Sequence, residues 1–196
     1  MKKIIKKTFL FGLLFLSSIL SAQYKISEMI VMKPGVMSQG IAYDDTVDKV
    51  THVLGKPTKI EDFYFEINEE YGKIYYYNKN KIFILNNKVS SIDLSDNTLA
   101  FGKKNKFQIR VGDEIQTKIY YRDRGPGMPK IKTVENYIGG FTDTDIKKEK
   151  GRSRNIDYTS YISSNNLVDD DNERYDIGFE ILFTDNKVIS VFLGEP

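Results

Sequence analysis

The sequence contains no cysteine and only one histidine. Without thiols there are no disulfide staples, and a lipid anchor on an N-terminal cysteine is excluded. Zinc would lack its preferred ligands. The one histidine, His52, lies in a segment with helical spacing, and no nucleophile elbow stands near it. It reads as a helix surface residue rather than a general base. Also missing is a Gly-rich loop ending in Lys-Ser/Thr, so "RGPGMP" offers no phosphate cradle. Beyond residue 22 no apolar run approaches the roughly 18 residues of a membrane helix. No catalytic residues, cofactor or metal are expected on these grounds.

What is present at the start is an address. "MKKIIKK" is a basic stretch, "TFLFGLLFLSSIL" is a short apolar core, and Ser21-Ala22 supplies small residues before Gln23. Residues 1–22 therefore read as a signal peptide, and the expectation is an exported protein, periplasmic or extracellular. Removing four leader lysines from 29 basic residues leaves 25 against 27 acidic ones. That balance gives no footprint for nucleic acid, and nothing in the remaining chain predicts stable membrane insertion. The chain carries 13 Tyr and 12 Phe, enough to build a core without staples.

Two stretches nearly repeat. "NNKVSSIDL" begins at Asn86, and "DNKVISVFL" begins 99 residues later at Asp185. Each places residues that tolerate positive φ between apolar runs, as a two-residue hairpin turn requires. Upstream of the first, Asp44 or Asp45 can cap a helix carrying Val47, Val50, Val53 and Leu54, which Gly55 and Pro57 stop. Upstream of the second, Phe107, Ile109 and Val111 alternate as a strand, Gly112-Asp113 turns and caps, and Ile115 and Ile119 sit one helical turn apart. The first copy then shows strands at Glu61–Ile67, Lys73–Tyr77, Lys81–Leu85 and Lys88–Leu94.

This pattern predicts an α+β fold of two tandem repeats, each a short helix plus an antiparallel meander sheet. The repeats would span 38–97 and 106–196, joined through "LAFGKKN", with an insertion at about 122–172 in the second. The insertion holds "RDRGPGMPK", "TDTDIKKEKGR" and "DDDNE", which read as surface loops or hairpin excursions. Asp143–Asp145 and Asp169–Glu173 offer oxygen ligands, but they lack the alternation and glycine of a calcium loop and read as solvated acidic loops.

The segment "GIAYDDTVDKVTHVLGKPTKI", a capped helix ending in LGKP before strands and an N-N-K-V hairpin, resembles the β-lactamase-inhibitor-protein-like tandem-repeat group. That group is related in pattern to small outer-membrane assembly lipoproteins. The matching residues are Asp44, Val47, Val50, Leu54, Gly55 and Pro57, with Gly112, Asp113 and Ile115 in the second copy. The second copy has "IYYRDRGPG" where an LGxP would stand. The resemblance implies a non-catalytic module that binds another protein on a sheet face, and it brings no catalytic residues.

Parity sharpens the question of which face. Counted through a plain two-residue turn, one face of the second hairpin carries Phe179, Ile181, Phe183, Val188 and Phe192, and the other carries Leu182, Ile189, Val191 and Leu193. The run from Ile74 to Tyr77 puts aromatic residues on both faces too. The second face must be covered by internal packing or by a partner. Tyr75, Tyr77, Phe179, Phe183 and Phe192 are thus the candidate binding residues. The alternative function is an exported hydrolase or carbohydrate-binding protein with its site in the 122–172 insertion. Clustered acids in a deep pocket would mark that alternative.

Overall fold

The two Asn-centred hairpins lie side by side in one sheet. The computed structural model describes residues 24–195 apart from 166, 170, 172, 174 and 175. The leader assigned to 1–22, and part of the acidic run 169–173, fall outside the described residues. In chain order the strands are β1 (Met29–Met32), β2 (Lys59–Phe65), β3 (Glu70–Tyr77), β4 (Asn80–Leu85), β5 (Lys88–Leu94), β6 (Ala100–Lys103), β7 (Phe107–Ile109), β8 (Gln116–Arg122), β9 (Ile131–Ile138), β10 (Phe141–Thr142), β11 (Gly151–Ser153), β12 (Ile156–Tyr158), β13 (Ser160–Ser164), β14 (Gly178–Thr184) and β15 (Lys187–Gly194). One α-helix, α1 (Val47–Leu54), lies between β1 and β2.

The expected fold class is overturned. The molecule is mostly β, and the described residues hold one α-helix rather than one in each of two repeats. After Asp113 the chain does not wind into a helix. Gln116–Arg122 runs as β8 and pairs with β9, setting Ile119 opposite Val134. Thr, Ile and Tyr dominate that stretch and favour a pleated strand. The spacing of Ile115 and Ile119 is no helical stripe, because no core lies against β8, whose residues are all exposed. In α1, by contrast, Val50 and Leu54 are buried one turn apart, Thr46 is the N-cap and accepts from Lys49 N, and Gly55 ends the helix at φ 90°.

The main sheet has the order β13-β14-β15-β5-β4-β3-β2 and every pairing is antiparallel. Its two hairpins share their details. Asn86 and Asn87 sit at φ 51° and 64°, Asp185 and Asn186 at 50° and 64°. In both, the register shifts once, between Phe83 and Ile84 and between Leu182 and Phe183, which leaves Ser90 and Ile189 as bulges.

The bulge sorts the faces. Past Ile189, Val191 pairs with Ile181 and Leu193 with Phe179, so these join Phe183 and Val188 on the covered face, while Phe192 turns to the other. A row of cross-strand partners on the covered face runs Ser164, Phe179, Leu193, Ile92, Ile82, Tyr75, Ile60. Its central members are buried with Val50 and Leu54 of α1, Val31 of β1, Phe101 of β6 and Phe141 of β10. A small sheet, β1-β6-β7, supplies part of that cover. The segment joining the two hairpin regions contributes β6 to it.

One turn recurs three times and anchors the cover to the sheet. A buried apolar residue (Ile41, Ile109, Phe141) is followed four positions on by an aspartate. That aspartate's Oδ2 accepts a backbone N–H three residues back: Ala42 N to Asp45 at 2.6 Å, Arg110 N to Asp113 at 2.8 Å, Thr142 N to Asp145 at 2.8 Å. The chain then bridges to Lys88, Lys187 and Tyr161 respectively, at the starts of β5 and β15 and in β13. These carboxylates close turns, as Asx side chains do, and are not helix caps.

Candidate functional site

The sheet face opposite α1 is the open one. A row of partners crosses all seven strands there: Ser163, Glu180, Phe192, Asp93, Lys81, Tyr76 and Lys59. The next row on the same face begins Gly178, Gly194, Ser91 and continues to Phe83, Ile74 and Glu61. Small residues stand where β14, β15 and β5 cross this row, and aromatic side chains lie toward both ends of the face.

At the β14 end the hairpin β11–β12 folds over the face. Ser153 Oγ donates to Glu180 Oε2 at 2.8 Å, and Arg154 forms an ion pair with the same carboxylate. The guanidinium also lies 4.4 Å from the centre of the Phe192 ring. Tyr158 and Tyr161 meet edge to face at 5.5 Å. These groups border a cavity of about 440 Å³. Leu182 and Ser190, on this face of β14 and β15, are buried.

At the other end, Phe63 and Phe65 of β2 and Phe83 of β4 form a cluster. Phe63 lies 5.0 Å from Phe65 and 5.4 Å from Phe83, in edge-to-face contacts. Gly72 gives Phe65 its seat, since a Cβ there would lie 2.5 Å from the ring. Beside the cluster is a groove of about 470 Å³, closed by Ile67, Leu85, Ser90 and Tyr43. Ile67 is 89% exposed and Tyr71 80%. Behind the cluster, the Tyr64 and Tyr71 rings meet at 4.9 Å, tilted by 53°.

β2 is also the last strand of its sheet. Its first half carries charges, with Lys59 and Tyr76 both donating to Glu61. Those bonds, that from Lys59 foremost, hold the Glu61 carboxyl below the usual range and lift the Tyr76 phenol. Charges of this kind protect a sheet edge. The second half, Phe63-Tyr64-Phe65, has no such protection.

The candidate residues read from the sequence separate. Tyr77, Phe179 and Phe183 are buried, and Tyr75 packs against the same core. Only Phe192 stands on the open face. The parity argument does not reach the groove's own residues, which lie in Glu61–Ile67, the first expected strand of the meander. The signal was there: Phe63, Phe65 and Ile67 repeat at period two on one side of that strand. His52 is exposed on α1, and among the described residues no group of three carboxylates or imidazoles stands close enough to hold a metal. Comparisons with protein-family models, with curated proteins and with solved structures find nothing that matches this chain.

Proposed function

We propose that this is a non-catalytic protein-binding module, exported by its N-terminal leader, that takes an extended apolar segment of another protein along β2. The observation that carries the reading is the coincidence, at one place, of an unprotected sheet edge and an aromatic groove. A strand added to β2 would gain main-chain hydrogen bonds, and alternate side chains of the added segment would enter the Phe63–Phe65–Phe83 groove. Ile67 extends the apolar surface beyond the strand end. Such an exposed patch on a folded domain marks an interaction site. Selection from a random peptide library, followed by calorimetry, tests it. Bound peptides should be apolar at alternate positions. N-methylation of their backbone should abolish binding at every second residue, and Phe63→Ala should weaken it at least tenfold. Peptides that tolerate N-methylation throughout would refute strand addition.

A second reading rests on Tyr158, Tyr161 and Phe192 around the 440 Å³ cavity. Aromatic faces with polar rims suit a sugar ring, so carbohydrate binding there is the runner-up. Hydrolysis is not supported, because Glu180 is engaged by Arg154 and Ser153 and, among the described residues, the other acid lining the cavity is Glu195. A glycan array with Phe192→Ala as control separates this reading from the first.

A further inference from the structure

We propose that the β8–β9 hairpin is an arm that docks on an anionic lipid bilayer. Every residue of β8 is exposed, and β9 is exposed or half-buried until Ile138. Its root is held by β10, where Phe141 pairs with Ile138, and both are in the core. Beyond that root the ribbon is two strands wide, and such a ribbon is marginal in water without a surface to lie on. Yet it displays Ile119, Tyr120, Tyr121, Met128, Ile131 and Val134, all exposed.

The charge at the tip has one dominant sign. Between residues 122 and 132 stand Arg122, Arg124, Lys130 and Lys132 against Asp123 alone, in a chain whose whole net charge is +2. Asp123 is already paired with Lys130 at 3.6 Å. Met128 lies at the apex between Pro126 and Pro129. Down the ribbon both faces mix apolar and basic groups. Arg122 pairs with Ile131 on one face, and Tyr121 with Lys132 on the other. A protein partner covers one face of a ribbon. A medium that surrounds the tip satisfies both at once, and the boundary between headgroups and acyl chains is such a medium. There the apolar side chains sink, the tyrosines sit at headgroup level, and the long basic side chains reach anionic phosphates. No described helix is long and apolar enough to cross a membrane.

Flotation with vesicles tests this. One set is pure phosphatidylcholine, and the other has about a third of its lipid as phosphatidylglycerol. The protein should float with the anionic set at low salt and not with the neutral set. Binding should fall at least tenfold in Arg124→Glu/Lys130→Glu, and several-fold in Met128→Ser. Both variants alter exposed residues, and unchanged circular dichroism and urea midpoints will verify that the fold persists. Phe63→Ala, in the groove at the far edge of the main sheet, should float like the unaltered protein, so failure of the groove reading leaves this one standing. Equal binding to neutral vesicles, no binding to either set, or indifference to charge reversal would overturn the proposal. So would an arm-dependent dimer in sedimentation without vesicle binding, which would make a second copy the occupant.

Discussion

Asp93 and Phe192 face each other where β5 meets β15, and they hold the same place in the two hairpins. The pairs around them obey the same relation: Ile92 meets Leu193, and their counterparts Val191 and Leu94 meet in turn. The two hairpins are thus joined back to back about an approximate local dyad. One side of the central pair is a carboxylate beside Lys81, and the other is a ring carrying Arg154. The open face is therefore chemically different at its two ends although the backbone is nearly symmetric. This explains why the aromatic groove and the Tyr158 cavity are not copies of each other.

The seam between the hairpins is tight at Gly194, opposite Ser91. A Cβ on Gly194 would lie 2.5 Å from Ser91 Cβ, and its φ of +153° disfavours any other residue. Gly194→Ala should cost about 1–3 kcal/mol by urea denaturation. Adding Ser91→Gly removes the clashing atom and should recover part of the loss, because neighbouring sites couple. A neutral Gly194→Ala would mean the strands can part there freely.

Three of the five aromatics named from parity, with Phe63 beside them, should divide by burial. Phe179→Ala and Phe183→Ala remove buried rings and should each cost about 3–5 kcal/mol. Phe192→Ala removes a half-buried ring beneath Arg154 and should cost less, about 1–2 kcal/mol. Phe63→Ala breaks two edge-to-face contacts, each worth about 0.5–1.5 kcal/mol, while removing the proposed binding surface. Equal losses in all four would place Phe192 and Phe63 in the core and remove the open face as a site.

The local elements were legible. The helix over Val47–Leu54, its stop at Gly55 and both hairpin turns follow from local residue chemistry, because each rests on neighbours within a few positions. The faces of β15 were not legible. Nothing in "NKVISVFL" marks Ile189 as a bulge, yet that one residue reverses the parity of everything after it. Nor was the strand after Asp113 legible. Asp44 or Asp45 reads as a helix cap in the first copy and Asp113 as a turn and cap in the second; Asp45 and Asp113 instead close the same turn, and the helix after Asp45 exists only because α1 finds a core to cover. The third such turn, at Asp145, lay in a stretch whose charges made it look like a plain loop.

Asn80 should be among the least replaceable polar residues. It is fully buried, and its side chain makes four hydrogen bonds. Nδ2 donates to Asp96 Oδ1 and Thr98 Oγ1 at 2.8 and 2.9 Å. Oδ1 accepts from Ser95 N and Asp96 N at 2.9 and 3.1 Å. These bonds tie the turn before β4 to the chain leaving β5. Asn80→Ala strands several buried groups and should cost about 2–4 kcal/mol. Asn80→Asp should be worse, since it sets a second carboxylate against Asp96. A urea midpoint for Asn80→Ala close to the unaltered protein would show that water replaces the side chain.

Tyr77 should give the fold an alkaline limit. Its ring is 7% exposed, and its hydroxyl donates to Gly55 O at 2.8 Å, tying β3 to the end of α1. Burial, with Tyr75 nearby, pushes its pKa from 10.0 up to about 12. Below pH 10 the phenol is neutral in both the folded and the unfolded chain, and its contribution is fully present. Between about 10 and 12 the unfolded chain releases the proton while the folded chain keeps it, so stability falls as pH rises. The fall approaches about 1.4 kcal/mol per pH unit at its steepest. Above 12 both states are ionised and the contribution is gone. Tyr77→Phe has no proton to lose, and at neutral pH it should be less stable by about 1 kcal/mol, with the Gly55 carbonyl left unpaired. All other side chains are common to the two proteins, so the difference between them isolates the one phenol. Urea denaturation from pH 8 to 12 should therefore show the two stabilities converging and then crossing, with the Phe variant the more stable at the alkaline end. A gap that stays constant across the range would mean that Tyr77 ionises in the fold as freely as in the unfolded chain, and that its hydroxyl is not held by Gly55.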